Sequence, residues 1–213
     1  MRYLYILLFS IALAADDHSS ESKIDENCKD ITKDNISERS FTNEYVGTFN
    51  GKRIEYSAGL KEKVLYEKDN PDAPQASFFY TEYIAKNGNQ RPVIFSFNGG
   101  PGSASLWLHM GVLGPKVIKV PSNASDDGSP PYKIVDNKLS PLSEADLVFI
   151  DPIGTGYSRA IGCHTGEEFW GVNEDPKIIA EFIRRWITDN KRWNSPRYIS
   201  VSYTHLTLPT NDQ

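Results

Sequence analysis

From Tyr45 onward the chain is organised by apolar positions whose spacing changes character part-way along. Tyr45 to Phe49 and Arg53 to Ala58 flank Asn50-Gly51, a pair that tolerates positive φ at both central positions of a type I′ turn, so a tight hairpin is predicted. Further strands are predicted around Val64 to Tyr66 and over Ser77 to Ala85, with a proline turn at Asn70 to Pro74 between them. Pro92 to Phe97 is nearly continuous apolar, as expected of a strand covered on both faces, and Leu147 to Ile150 repeats that pattern. Ser103 to Val112 predicts a short helix stopped by Gly114-Pro115, and Pro121 to Pro131 an irregular loop. Ile178, Ile179, Phe182, Ile183, Trp186 and Ile187 recur on one helical face, with Asp175 as the expected N-cap and Pro176 at the first helical position. Arg197 to Ser200 reads as the next strand. Antiparallel strands followed by strand, glycine loop, strand, helix and strand make the order of an α/β domain with a mostly parallel sheet.

The two ends read differently from this body. Met1-Arg2, the apolar run Tyr3 to Leu13 and the small-residue site Ala12-Leu13-Ala14 predict a secretory signal peptide over residues 1–15. The run is too short to span a bilayer as a stable anchor, so export is expected and no membrane association after removal of the signal. Residues 16–44 are charged and polar without a sustained period, which predicts a flexible lead-in, and residues 45–200 form the folded domain. Two cysteines, Cys28 and Cys163, would meet an oxidising compartment; a bridge between them would close a long loop worth about 5 kcal/mol in the chain-entropy model. Their pairing is left open by the sequence, and neither has the spacing of a metal or redox site. Asn35-Ile36-Ser37 and Asn123-Ala124-Ser125 are glycosylation acceptors if the host modifies exported chains.

Composition narrows the function classes. Of 213 residues 39% are hydrophobic and 24% charged, which fits a packed core rather than a disordered chain. A formal charge of −5 with no Lys/Arg run supplies no field for phosphates, so nucleic acid is not an expected partner. No metal and no cofactor are expected.

The residues that suggest chemistry lie where the first buried strand ends. In Asn98-Gly99-Gly100-Pro101-Gly102 the glycines let backbone N–H groups approach a ligand, and Pro101 stiffens the turn. A P-loop would need Gly-Lys-Ser/Thr, and Gly102-Ser103 carries no lysine; a dinucleotide fingerprint would need Gly or Ala at Ser105 and an acid near Lys119. An oxyanion hole and a tight turn without a chemical role remain. Gly154-Thr155-Gly156-Tyr157-Ser158 is not a G-x-S-x-G elbow, since Ser158 has no glycine two residues on. Asp151, at a strand's C-terminal end, is expected chiefly to hold the adjoining loop.

Asn98 to Ser103, Gly114-Pro115, Asp146 to Asp151 with Pro152, and Gly154 to Ser158 together resemble the consecutive N-terminal signatures of the serine carboxypeptidase family. Arg192 to Tyr198 is similar to the stretch preceding that family's nucleophile, and with Ser103 it resembles prokaryotic-type members. The resemblance implies the N-terminal portion of an α/β-hydrolase fold and a serine-type carboxypeptidase acting on peptide or protein C-termini through an acyl-enzyme. It implies that the Gly100 backbone N–H donates to the oxyanion, that the Asn98 side chain and Gly99 backbone bind the substrate's terminal carboxylate, and that Trp107 and Met110 line the pocket for the departing residue. Related lineages carry His where Asn98 stands.

After Ser200 the resemblance implies Gly-Glu-Ser-Tyr-Gly, but the chain reads Val201-Ser202-Tyr203-Thr204-His205 and ends at Gln213. Placing Ser202 at the nucleophile would set Ser200 and Thr204 where the strained turn needs glycines. Residues 201–213 are therefore expected to be a non-native tail. The Asp and His of the triad follow the serine in this fold, and none of His18, His109, His164 and His205 is expected to replace that histidine. The chain is expected to be inactive by itself. The alternative is a non-catalytic exported protein that binds peptide carboxylates on the same scaffold.

Overall fold

The computed structural model describes residues 31–88, 90–99, 102–120 and 130–202. The expected signal peptide, most of the lead-in, Cys28, Gly100, Pro101, the loop from Pro121 to Ser129 with its sequon, and residues 203–213 lie outside the described residues.

β1 (Ser40–Phe49) and β2 (Lys52–Tyr66) form the predicted hairpin, with Asn50 at φ 48° and Gly51 at φ 78° supplying the two left-handed positions of its turn. β1 begins at Ser40, five residues before the apolar pattern does, because it is an edge strand whose exposed side needs no apolar residues. β2 joins what the sequence divides into two strands: Gly59 to Lys63 stay in register with β3 (Pro74–Ala85), so pairing carries the strand through polar positions.

β4 (Val93–Asn98) ends at the glycine-rich segment, and a single α-turn, α1 (Leu106–Leu108), follows and widens into a π-helical segment over His109–Leu113. β5 (Lys116–Ile118) and β6 (Ile134–Asp136) form a small separate ribbon, and a 3₁₀ turn at Pro141–Ser143 leads into β7 (Asp146–Ile150). β8 (Arg159–Ala160) pairs with β3, α2 (Glu174–Asp189) follows, and β9 (Arg197–Ser202) ends the described chain. β9 continues two residues past Ser200, pairing Val201 with Phe97 and Ser202 with Asn98. The cap of α2 is Asn173 rather than Asp175, which places Pro176 inside the first turn, where its missing N–H breaks no helical bond.

The main sheet has the order β1-β2-β3-β7-β4-β9. β7 is antiparallel to β3 and parallel to β4, and β4 is parallel to β9, so the sheet changes character at β7. Alternation along the strands separates two cores. Val93, Phe95, Val148, Ile150, Phe78 and Tyr80 pack against Phe182 and Trp186 of α2, with the Phe95 and Trp186 rings edge to face at 5.3 Å. Leu147, Phe149, Phe49, Ile54 and Tyr56 face the other side, against Leu108 and Leu113.

One buried charge ties the strand beginnings together. Asp146 is fully buried; one oxygen accepts Ala85 N–H at 3.0 Å and Arg91 Nε at 3.1 Å, and the other accepts from Arg192 at 2.7 Å. Arg192 also donates to Ser195 Oγ and to the Arg91 carbonyl, and Arg91 to the Leu142 carbonyl. Removing one member of a buried pair leaves its partner uncompensated, at a cost of about 3–5 kcal/mol. Asp146→Ala and Arg192→Met are each expected to lower unfolding stability by that order in urea titrations, whereas the exposed Arg53–Glu55 pair is expected to contribute less than about 1 kcal/mol on Arg53→Ala.

Candidate functional site

The parallel strands β4 and β7 end side by side, and each presents a polar residue there: Asn98 closes β4, and Asp151 follows β7. Asp151 Oδ1 accepts Ser105 N–H at 2.8 Å, and the Ser105 hydroxyl donates to the Ile150 carbonyl. The loop after β4 is thereby tied to the end of β7, so the loop that Asp151 bonds is not the adjoining one that the sequence suggested. Burial pushes the Asp151 carboxyl upward, partly offset by the Ser105 N–H. Gly156, at φ 50°, lies against the same carboxylate, and a Cβ there would stand 2.0 Å from Asp151 Oδ2. Only glycine fits both that backbone and that contact.

Asn98 is buried, with Nδ2 directed at Ser103 Oγ at 3.3 Å; its Oδ1 has no partner among the described residues. Ser96, two residues earlier on the same face, has a buried hydroxyl in the same condition. The Gly99 N–H donates to the Ser202 carbonyl at 2.8 Å, extending the β4–β9 ladder by one bond. A ligand would draw on this N–H only by displacing that bond. Gly100 lies outside the described residues.

A cavity of about 320 Å³ opens beside this end of the sheet, walled by Leu60, Phe79, Phe149, Met110 and Tyr157, with Asp151 at its edge. Met110 and Trp107, grouped together by the sequence reading, part company: Met110 lines the cavity, while Trp107 is 71% exposed and does not. Phe79 and Leu60 come from neighbouring strands and could not be found by sequence reading, because only register brings them to one face. Tyr157 stands inside the glycine-rich segment Gly154 to Ser158, which the sequence reading only sets apart from a G-x-S-x-G elbow.

Ser105, His109 and Asp151 all border the cavity, yet their hydrogen bonds are not those of a triad. The serine hydroxyl is committed to Ile150, and His109 Nε2 shares a 2.6 Å hydrogen bond with the Tyr83 hydroxyl. The imidazole stacks on Phe149 at 4.5 Å between ring centres, and burial lowers its pKa to about 4. It is a neutral packing element that fixes the π-helical segment to the sheet. Among the described residues no group of three His, Cys, Asp or Glu is placed to hold a metal ion, and no helix is long and apolar enough to cross a membrane. Cys163 is disulfide-bonded.

His109 carries a defined pH signature. Its folded pKa lies below its unfolded value near 6.5, so the unfolded state binds the proton first and stability falls as pH drops from about 6.5 toward 4. The full shift corresponds to a few kcal/mol, on the order of 1.4 kcal/mol per pH unit. Urea midpoints of wild type and His109→Phe between pH 7 and pH 4 should converge on acidification, because the variant lacks this penalty; parallel curves would contradict the assignment.

The serine carboxypeptidase family model matches residues 59–204, well over half of the chain. "Serine carboxypeptidase-like 9" of Arabidopsis thaliana is 30% identical over 62% of this chain and 29% of its own length. "Serine carboxypeptidase-like 12" of the same plant is 30% identical over 62% of the chain and 30% of its own length. "Pheromone-processing carboxypeptidase KEX1" of Saccharomyces cerevisiae is 36% identical over 46% of the chain and 12% of its own length. The chain thus spans less than a third of the length of these relatives. They come from a plant and a yeast; the likeness to prokaryotic-type members rests on Ser103 and Arg192 to Tyr198 alone. With its mixed sheet turning parallel at β7 and its site at the strand ends, the chain belongs to the serine carboxypeptidase family and carries part of that family's α/β-hydrolase-type fold.

Proposed function

We propose that this chain is the N-terminal part of an exported serine-type carboxypeptidase that releases C-terminal residues from peptides, with Asn98 holding the substrate's free carboxylate. The observation that carries the reading is the position of Asn98: a buried carboxamide at the end of a central parallel strand, at the start of the glycine-rich segment, whose Nδ2 carries two N–H donors and makes one bond among the described residues, to Ser103 Oγ at 3.3 Å. Oδ1, without a partner among the described residues, is an acceptor and receives nothing from an ionised carboxylate, so recognition falls to the Nδ2 donor. An amide N–H also binds a carboxylate without needing a charge of its own. Gly99 joins as a second donor by exchanging its bond to the Ser202 carbonyl, and the Gly100 N–H serves the oxyanion that forms as the acyl-enzyme is made and broken. Met110, in the cavity wall, is the better candidate of the two helical residues for contact with the departing side chain.

The attacking serine and its Asp and His partners are assigned to sequence beyond these 213 residues, since no G-x-S-x-G segment occurs in them. In this reading the nucleophile serine attacks the C-terminal peptide carbonyl, histidine takes its proton and returns it to the leaving amine, and water then releases the acyl group.

Two assays test this. The 213-residue chain should release no C-terminal residue from a peptide, whereas the full-length protein should do so and be inactivated by a serine-directed fluorophosphonate. In the full-length protein, Asn98→Ala should lower kcat/KM for peptides with a free C-terminus by roughly tenfold to a hundredfold, the loss of one hydrogen bond to a charged group, while leaving hydrolysis of ester substrates lacking the carboxylate nearly unchanged. Equal losses on both substrates would remove Asn98 from carboxylate recognition.

A further inference from the structure

His164 stands between two carboxylates contributed by distant parts of the chain. Its Nδ1 is 2.7 Å from Glu168 Oε2, four residues on, and its Nε2 is 2.9 Å from Glu67 Oε1, just past the end of β2. Ionised carboxylates only accept hydrogen bonds, so both ring nitrogens must donate and the imidazole must carry its proton for both bonds to exist. A neutral ring would turn one lone pair toward a carboxylate. The protonated ring is thus a staple joining the 164–170 segment to the β2–β3 turn.

That segment reaches the cavity through a short series of contacts. Glu168 closes a capping box with Thr165, accepting its N–H at 2.7 Å, so the carboxylate that holds His164 also starts the 3₁₀ turn Gly166–Phe169. Phe169 buries its ring in the α2-side core. The next residue, Trp170, donates its indole N–H to the Ile153 carbonyl at 3.1 Å. Ile153 opens the tight loop whose Thr155 and Ser158 bond back within it, and that loop carries Gly156 and Tyr157, the cavity wall beside Asp151. Ser158 Oγ in turn accepts Phe79 N–H at 2.8 Å, so the loop is also fastened to β3.

We propose that His164 is a proton-dependent clip which, when protonated, holds the 164–170 segment to β2 and thereby positions the Ile153–Ser158 loop that walls the cavity. Among the described residues the charged groups that face the imidazole are Glu168 from its own segment and Glu67 from the end of β2. Burial works against the charged ring, but the hydrogen bonds to Glu168 and Glu67 outweigh it and the pKa rises. Burial likewise works against the Glu168 carboxylate, and the bonds from Thr165 and His164 outweigh it in the other direction. The sign follows. The clip is closed below the ordinary histidine value near 6.5 and opens as pH rises through the elevated folded value. In an acidic compartment the wall is held; in an alkaline medium it is released.

The test is NMR on the ¹⁵N-labelled 213-residue chain, following the His164 ring nitrogens and the Trp170 indole N–H across the titration. Trp170 is assigned with Trp170→Phe, and Trp186, whose indole donates to Glu82, is the control. His164 should titrate above the ordinary histidine range, and the Trp170 resonance should shift with the same midpoint while Trp186 does not. Exchange of the Trp170 indole, corrected for intrinsic base catalysis, should accelerate roughly tenfold across it, the order expected of one lost charge-assisted hydrogen bond. Glu67→Gln should move both midpoints down together. A His164 midpoint at or below 6.5, or a Trp170 signal indifferent to it, overturns the clip; should Glu67→Gln fail to fold, the coincidence of the two wild-type midpoints decides alone.

Discussion

Asp146 sits at the point where the sheet changes from antiparallel to parallel, and it is the charge around which the strand beginnings are assembled. Its carboxylate receives the backbone of β3's last residue, the guanidinium before β4 and the guanidinium between α2 and β9. Three chain crossings therefore meet at one fully buried group with its donors in place. A carboxylate so enclosed is tolerable only with its charge met and its lone pairs filled. It restricts which strands can be neighbours: a sheet that placed β9 elsewhere would part the buried Arg192 guanidinium from the carboxylate that meets its charge.

With one end of the parallel strands fastened in this way, the other is free to differ. There the bonds tie loops to one another and to strands: Asp151 to the Ser105 backbone, Ser105 to Ile150 of β7, Ser158 to Phe79 of β3. These position the loop after β4 and the cavity wall, and leave Asn98 Oδ1 and Ser96 Oγ without a partner among the described residues.

The aromatic packing on the face away from α2 links these two regions. Tyr56, Tyr83, His109 and Phe149 form successive ring contacts, with Tyr83 meeting Tyr56 at 6.1 Å and His109 at 5.5 Å. The π-helical segment that carries Met110 is thus anchored through a neutral, buried histidine. A charged ring could not be stacked there without a counter-ion, which is why His109 gives up its proton readily while His164, between two carboxylates, keeps its own.

The sequence by itself determined the elements whose signal is local. The Asn50-Gly51 turn, the continuous apolar run of β4 and β7 and the apolar face of α2 all follow from residue type and spacing. So did the family, because several motifs recur in a fixed order. Local pattern failed where partners decide. Polar Gly59 to Lys63 are strand because β3 pairs with them, β1 starts at Ser40 because a partner strand reaches that far, and the cap of α2 moved two residues because Pro176 needs only the first turn. The Asp146 network and the His164 clip hinge on pairs 46 to 101 positions apart, such as Asp146 with Arg192 or Arg192 with Arg91. No periodicity encodes such pairs; strand order and register bring them together, and only the folded chain decides which charge meets which.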